Sequence, residues 1–317
     1  MPSPRHARRF AQPYPAREAL LWIFKNLAGP PRQPIPFDPL GPDVVLNAIT
    51  PRLTLAFLGD ILPTRRVSFA VDPEVQAFVR GVDWLVGNLE GPVVSRRVPW
   101  VFMGQAHTPD ILDLLETLAP PERTVLLCAN NHAADYGPEI HQASRALLRW
   151  HGILCPGDRS QPTVGLTAPV ALTAGTAWSN HEQEFLAPLP AAPPAHHGFR
   201  ILCPHWGYEL ETVPRQCQIT QGARWLREWD LIVGHHSHTP QPVTADAVGR
   251  QRRAIAYSLG NFTFGYDLPH HRRGLMLRVE VGPTPDGAWA VGRLQWIAIV
   301  LRFAHRRRAT VAPADAH

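Results

Sequence analysis

Short, nearly continuous apolar runs punctuate this chain, and each is cut off by glycine or a polar residue. They are Leu53–Leu58, Val82–Val86, Thr124–Ala129, Phe199–Cys203, Leu231–Val233 and Ala254–Leu259. Runs of this kind predict strands buried on both faces, as in the centre of parallel sheets. Helical patterns alternate with them. Asp72-Pro73 opens a helix through Arg80, with Asp as cap and Pro at the first position. Thr108-Pro109-Asp110 opens another, with an apolar stripe of Ile111, Leu112, Leu114, Leu115 and Leu118. Pro138 begins a third that runs to Trp150 and is closed by Gly152, and residues Gln216 to Trp229 suit a fourth. Thr163 to Trp178 alternates β-branched and small residues and predicts short strands, followed by a Pro/Ala loop from Pro188 to Pro194. Gly274 to Val281 and Ala288 to Val300, joined through Pro285-Asp286-Gly287, predict a terminal hairpin. Strand and helix in this alternation imply one layered α/β domain over residues 52–303, with a parallel core.

The flanks have another character. The apolar run Ala19–Phe24 stops at Lys25 and Asn26, too short to span a bilayer and poor as a signal core. It predicts a surface helix that covers the domain or lies against a membrane or partner. Arg8-Arg9-Phe10 faintly resembles a twin-arginine signal, but Gln12-Pro13-Tyr14-Pro15 follows where an apolar stretch is required. Residues 29–51 read as a proline-rich linker, which places all of 1–51 outside the domain, and 304–317 read as a basic, disordered tail.

Composition changes this picture little. The 317 residues are 45% hydrophobic and 18% charged, enough for a large core without disulfides. Cys128, Cys155, Cys203 and Cys217 form no CxxC pair and demand no oxidising compartment. The net charge is +5 and the pI about 9.4. The basic residues are nearly all arginine and gather at the ends, as Arg5, Arg8, Arg9 and Arg17, then Arg306, Arg307 and Arg308. Solvated tails account for them, and no nucleic-acid partner is expected. The expected location is cytoplasmic or peripheral to a membrane, with no transmembrane segment.

The chemistry lies where the apolar runs end. Asp60, Glu90, Asn131 and His205 each follow one strand, and Gly234-His235-His236-Ser237-His238 follows another. Taken singly, Asp60 reads as a helix cap and Asn131 as a turn residue. Taken together, carboxylates, an amide and imidazoles at the carboxyl ends of buried strands are the donors a pair of divalent cations needs. Mixed nitrogen and oxygen ligands suit Mn, Fe or Zn.

Read in order, Gly59-Asp60, Asn88-Leu89-Glu90, Asn130-Asn131-His132 with Asp135-Tyr136-Gly137, His205-Trp206-Gly207, Gly234 to His238 and Tyr257-Ser258-Leu259-Gly260-Asn261-Phe262 form a specific series. Over residues 53–264 the chain resembles the CapA family of capsule (poly-γ-glutamate) synthesis proteins, which is similar to the calcineurin-like metallophosphoesterases. The resemblance implies a two-sheet β-sandwich flanked by helices. It implies that Asp60 and His238 bind one metal, that Asn131, His205 and His236 bind a second, and that Glu90 bridges them. It makes His132 the general acid, with Asp60 and Glu90 beside it in catalysis, and places Asn88, Asn130, His235 and Asn261 around the substrate. An alternative spacing makes His235 the ligand in place of His236; strand alternation favours His236 and His238 on one side. Asn261 suits a turn equally well.

Two departures stand out. Phosphoesterases carry histidine two residues after the first Asp, and this chain has Leu62. One tightly held ion and one weaker ion are therefore expected. Better-known family members also carry an N-terminal membrane anchor, which this sequence does not show. The expected activity is metal-dependent hydrolysis of a phosphoester or of an anionic polymer, alongside capsule-synthesis partner proteins. The alternative is a component that binds polymer or synthase without turnover.

Overall fold

Along Leu55, Ala56, Phe57 and Leu58 the side chains point alternately into two different cores, as the two-residue period of a strand requires. Leu55 and Phe57 pack with Leu172, Ile201 and Val233, while Ala56 and Leu58 pack with Val75, Ile111 and Leu148. The first core lies between two sheets and the second lies under helices. In this computed structural model residues 14–314 are described, apart from 32, 97, 182–183, 196–197 and 305–306. Arg5, Arg8, Arg9 and Arg306 lie outside the described residues.

The chain passes through α1 (Ala16–Ala28), β1 (Asp43–Val45), β2 (Leu53–Ile61), β3 (Ser68–Val71), α2 (Pro73–Val79) and β4 (Trp84–Leu89). Then come α3 (Asp110–Glu116), β5 (Thr124–Leu127), α4 (Pro138–Trp150), β6 (Thr163–Gly165), β7 (Val170–Thr176), β8 (Phe199–His205) and α5 (Gln216–Trp225). It closes with β9 (Leu231–Val233), β10 (Val243–Val248), β11 (Gln251–Ala256), β12 (Asn261–Thr263), β13 (Arg273–Pro283), β14 (Trp289–Ala304) and β15 (Arg308–Pro313). One sheet has nine strands along the path β3-β15-β14-β13-β2-β4-β5, with β1 on β14 and β12 on β2. The other has six, in the order β10-β11-β9-β8-β7-β6. Helices α2, α3 and α4 cover the outer face of the first sheet, and Trp225 of α5 covers the second with Leu202, Ile232 and Ile255. This is the two-sheet α/β sandwich flanked by helices that the family resemblance implied, with the parallel core strands that the apolar pattern predicted.

Parallel pairing sets where the chemistry falls. β2, β4 and β5 run parallel in one sheet, as do β7, β8, β9 and β11 in the other. Their carboxyl ends, with the residues that follow, therefore gather at common edges. Close approach there needs glycine: a Cβ on Gly59 would sit 2.2 Å from the Gly260 carbonyl oxygen, and one on Gly234 2.1 Å from that of Tyr257.

The helices begin and end close to expectation. Asp72 caps α2 by accepting from the Glu74 amide at 2.9 Å. α3 begins at Asp110 with no side-chain cap, and α5 ends at Trp225 instead of Trp229. The flanks differ more. The stretch expected to be a disordered tail contains β15, which pairs with β14 and β3 and buries Ala309, Val311 and Ala312. The proline-rich linker contains β1, whose Asp43 pairs with Arg293 of β14.

The N-terminal helix is present but docks with the opposite face from a typical surface helix. Its polar and aromatic side holds the protein: Lys25, the chain's single lysine, bonds Glu211 at 2.8 Å, Glu18 pairs with Arg215, and Trp22 Nε1 donates to Glu209. Leu20, Leu21, Ile23, Phe24 and Leu27 face solvent, Leu27 at 81% exposure. Among the described residues no helix is long and apolar enough to cross a membrane.

Candidate metal centre

Buried carboxylates without full hydrogen bonding are costly unless a cation answers them. Two lie side by side here. Asp60, at the end of β2, and Glu90, just beyond β4, are both fully buried. Asn88 lies in register with Asp60 and donates to its Oδ1 at 2.8 Å and to Glu90 Oε2 at 3.5 Å. Glu90 Oε1 has no hydrogen bond at all.

Imidazoles face these carboxylates from the second sheet. His205 ends β8 and places Nε2 2.8 Å from Asn131 Oδ1. Beyond β9 the chain leaves extended geometry: His236 has φ 96° and His238 φ 54°, left-handed values that non-glycine residues seldom adopt. This turn, and not strand alternation, directs both rings toward Glu90. His238 Nδ1 lies 3.1 Å from Asp60 Oδ2, and its Nε2 lies 3.5 Å from Glu90 Oε1. Possible donor atoms form two groups, Glu90 with His205 and His236, and Asp60 with Glu90 and His238. Within each group the atoms lie within 4.8 Å of one another, and Glu90 belongs to both.

The tautomers are set from outside. Tyr14 Oη sits 2.6 Å from His236 Nε2, and His236 Nδ1 is buried with no hydrogen bond. An Nε2–H directed at Tyr14 leaves the Nδ1 lone pair free for a cation. An orphaned carboxylate oxygen and an orphaned imidazole nitrogen, both buried within one donor cluster, fit a bound metal. His235 also has a buried Nδ1 without a hydrogen bond, and its Nε2 donates to the Leu58 carbonyl at 3.1 Å, but it belongs to neither group.

Burial and neighbouring charge distort the titration of the whole cluster. Burial, reinforced by Asp60, pushes Glu90 up to about 8 against the pull of His238. His238 rises to about 10, because Glu90 and Asp60 outweigh its burial. Asp60 is held low by His238 and His235 despite burial. Burial and the other imidazoles drive His205 and His236 well below the ordinary value, so they stay neutral and able to ligate. His132 differs. Its Nδ1 lies 2.7 Å from Asp135 Oδ2 and its Nε2 3.9 Å from Glu90 Oε1. Burial lowers it, but Asp135 and Glu90 outweigh that and hold it above the usual imidazole value.

Three expected substrate contacts are turned inward. Asn88 bridges the two carboxylates, Asn130 donates to the Leu89 carbonyl at 2.8 Å, and Asn261 Oδ1 accepts from His238 Nδ1 at 3.0 Å. With His235 they are all essentially inaccessible, and each has a polar atom engaged within the protein. The physical reason is that amides packed between charged groups satisfy those groups first.

Sequence reasoning missed other participants. Asp135 was visible only as part of a motif, and Asn180, which lies 3.0 Å from His132 Nδ1 and donates to Asp135 Oδ1 at 3.3 Å, had no signal. Tyr14 reaches His236 across 222 residues and stacks on Tyr208, with Trp178 edge-on. His107 Nε2 donates to the Glu90 carbonyl at 3.0 Å. His271 packs its ring 5.9 Å from that of His238, with Nε2 on Asn26.

The model of the family described as "Bacterial capsule synthesis protein PGA_cap" matches residues 54–164 and 167–266. The chain belongs to this family. Two relatives of this chain come from bacilli. It is 25% identical over 272 residues to the "PGA biosynthesis protein CapA" of Bacillus subtilis (strain 168), covering 75% of this chain and 70% of the other. It is 25% identical over 256 residues to the "Capsule biosynthesis protein CapA" of Bacillus anthracis, covering 67% of this chain and 60% of that one. A solved structure, a hypothetical protein from Thermus thermophilus, is similar with a TM-score of 0.39 and 13% identity, over 83% of this chain and 98% of that chain.

Proposed function

We propose that this PGA_cap family member is a metal-dependent hydrolase of the phosphoesterase type, acting in capsule or poly-γ-glutamate synthesis. The observation that carries the proposal is the sharing of buried Glu90 between two groups of metal-ligand atoms. Asp60, Glu90 and His238 would hold one ion, and Glu90, Asn131, His205 and His236 the other. Mn, Fe or Zn suits these donors, with the site that lacks histidine at Leu62 the weaker. Bound there, the pair of ions supplies charge for a phosphate and a nucleophilic water at neutral pH.

The protein's own residues complete the chemistry. Asn88 keeps Asp60 and Glu90 oriented. Asp135 fixes the Nδ1 side of His132, so that Nε2 is the atom that delivers a proton to a leaving oxygen. Neutral His205 and His236 keep lone pairs available at pH 7. The substrate is a phosphoester or an anionic polymer, and other capsule-synthesis proteins are the expected partners.

A second reading, polymer or synthase binding without turnover, is favoured by one observation. Tyr14 and Trp178 pack over His236 and narrow access to it. Hydrolysis of a generic phosphodiester, assayed with added Mn, Fe or Zn and again with chelator, separates the two. Metal-dependent turnover abolished by Glu90→Gln is expected. Absence of turnover with metal demonstrably bound would establish the binding role instead.

A further inference from the structure

Beside the metal centre lies a cavity of about 630 Å³ whose walls include His132, His238 and Glu209. It is therefore open to the general acid, on the side where a leaving group would sit. Beyond those residues its character changes. Leu62, Val98, Met103, Phe264 and Leu268 line it, with Trp100 and Tyr266 toward the rim. Among the described residues Arg65 is the one arginine in the wall, held over the Tyr266 ring at 4.5 Å and bonded to Gln105.

Exposed apolar side chains concentrate around this opening. Of thirteen large hydrophobic residues exposed among the described residues, ten fall on α1, on segment 98–103 or on segment 266–268. All three segments contribute walls to the cavity, α1 through Trp22 and Asn26. Scattered exposed hydrophobics need no explanation, but a cluster at the mouth of one cavity marks a place where apolar surface is to be covered. The exposed apolar residues in the wall itself, Trp100, Phe102, Met103, Tyr266 and Leu268, come from two separate segments, which suits an elongated chain lying along both better than a compact ring.

Resting on the hydrolase reading above, we infer that the cavity is a subsite for the apolar chain of an amphiphilic phosphoester. The anionic head would lie at the metal centre and the uncharged chain would run along the 98–103 and 266–268 walls. Charge supports this choice. A polymer with a carboxylate on every unit needs repeated cations, and beyond the metal centre the described wall residues offer Arg65 as their one arginine and carry Glu209.

Binding of dodecyl phosphate and methyl phosphate, both below any micellar concentration, tests the inference on the metal-loaded protein by calorimetry. Dodecyl phosphate should bind with one-to-one stoichiometry and ~100-fold more tightly, a modest share of what full burial of its chain would give. Met103→Asp with Leu268→Asp should reduce that preference to ~10-fold or less, while Trp150→Asp, on an exposed position of α4 away from the cavity, should leave it intact. Equal binding of the two phosphates would overturn the inference, as would a preference untouched by the double variant. Tighter binding of naphthyl phosphate than of dodecyl phosphate would overturn the chain in favour of a ring, and tighter binding of poly-γ-glutamate would overturn both. Because binding needs no turnover, failure of the hydrolase reading is separate: a chain-selective site without hydrolysis would remove the catalysis and keep the subsite.

Discussion

Asp135→Asn isolates the proposed general acid without touching a metal-ligand candidate. His132 owes its raised pKa to Asp135 and Glu90, which together outweigh the effect of burial. The His132–Asp135 contact is 2.7 Å long and both side chains are buried. A hydrogen bond between charged partners in such surroundings contributes about 1.5–3 kcal/mol. Its loss should lower the pKa of His132. Burial is then opposed chiefly by Glu90, and less of the imidazole is protonated. Because the acid form is the active one, activity falls as pH rises through its pKa, so the alkaline limb should move to lower pH. Phosphoesters with poor leaving groups should turn over ~10²–10³-fold more slowly, and those with nitrophenol leaving groups less than ~10-fold more slowly. Metal content should not change, and asparagine can still accept from the Gln105 amide. The assay is a pair of pH–rate profiles on the two substrate types, with metal measured on the same sample. Equal losses on both, an unmoved alkaline limb, or loss of metal would refute this role for His132.

Tyr14→Phe removes the oxygen 2.6 Å from His236 Nε2 and should weaken the affinity of one metal site ~10–100-fold, read by calorimetric titration; unchanged affinity would reduce Tyr14 to packing. Metal entry should release protons, since burial raises Glu90 and the neighbouring carboxylates raise His238, so that the coupled pair holds a proton at pH 7 that a cation must displace. Affinity should therefore rise with pH; titrations in buffers of different ionisation enthalpy would show it, and an affinity constant from pH 6 to 8 would contradict it. Leu62→His should tighten the weaker site, because Leu62 shares a cavity wall with His238; two equally tight sites in the unaltered chain would show that another residue, His271 among the nearest, already fills that place.

How much was legible followed from range. The apolar runs that became β2, β4, β5, β8, β9 and β11 were readable because burial on both faces leaves a local signature, and the residues just past them could be named for the same reason. Which atoms those residues point at was not readable. His235 and His236 differ by one position, and the choice between them is made by a left-handed turn and a phenol from the far end of the chain. The inward turn of Asn88, Asn130 and Asn261 likewise depends on partners in other elements. β15 was hidden because its arginine-rich approach masks a short buried alternation, and β1 because prolines surround it. The docking face of α1 was hidden most thoroughly. Its apolar stripe is the pattern of a helix that packs inward, and only the placement of Glu209, Glu211 and Arg215 beside the site shows that its polar side is the one held.

The central claim is that Asp60, Glu90, Asn131, His205, His236 and His238 form a metal centre. Elemental analysis of protein purified without chelator, alongside His205→Ala and His236→Ala, tests it most directly. The account predicts Mn, Fe or Zn in the unaltered protein, most of it missing from both variants, and a melting temperature that rises when metal is restored. No transition metal in the unaltered protein, with no rise in melting temperature on adding any of the three, would contradict it.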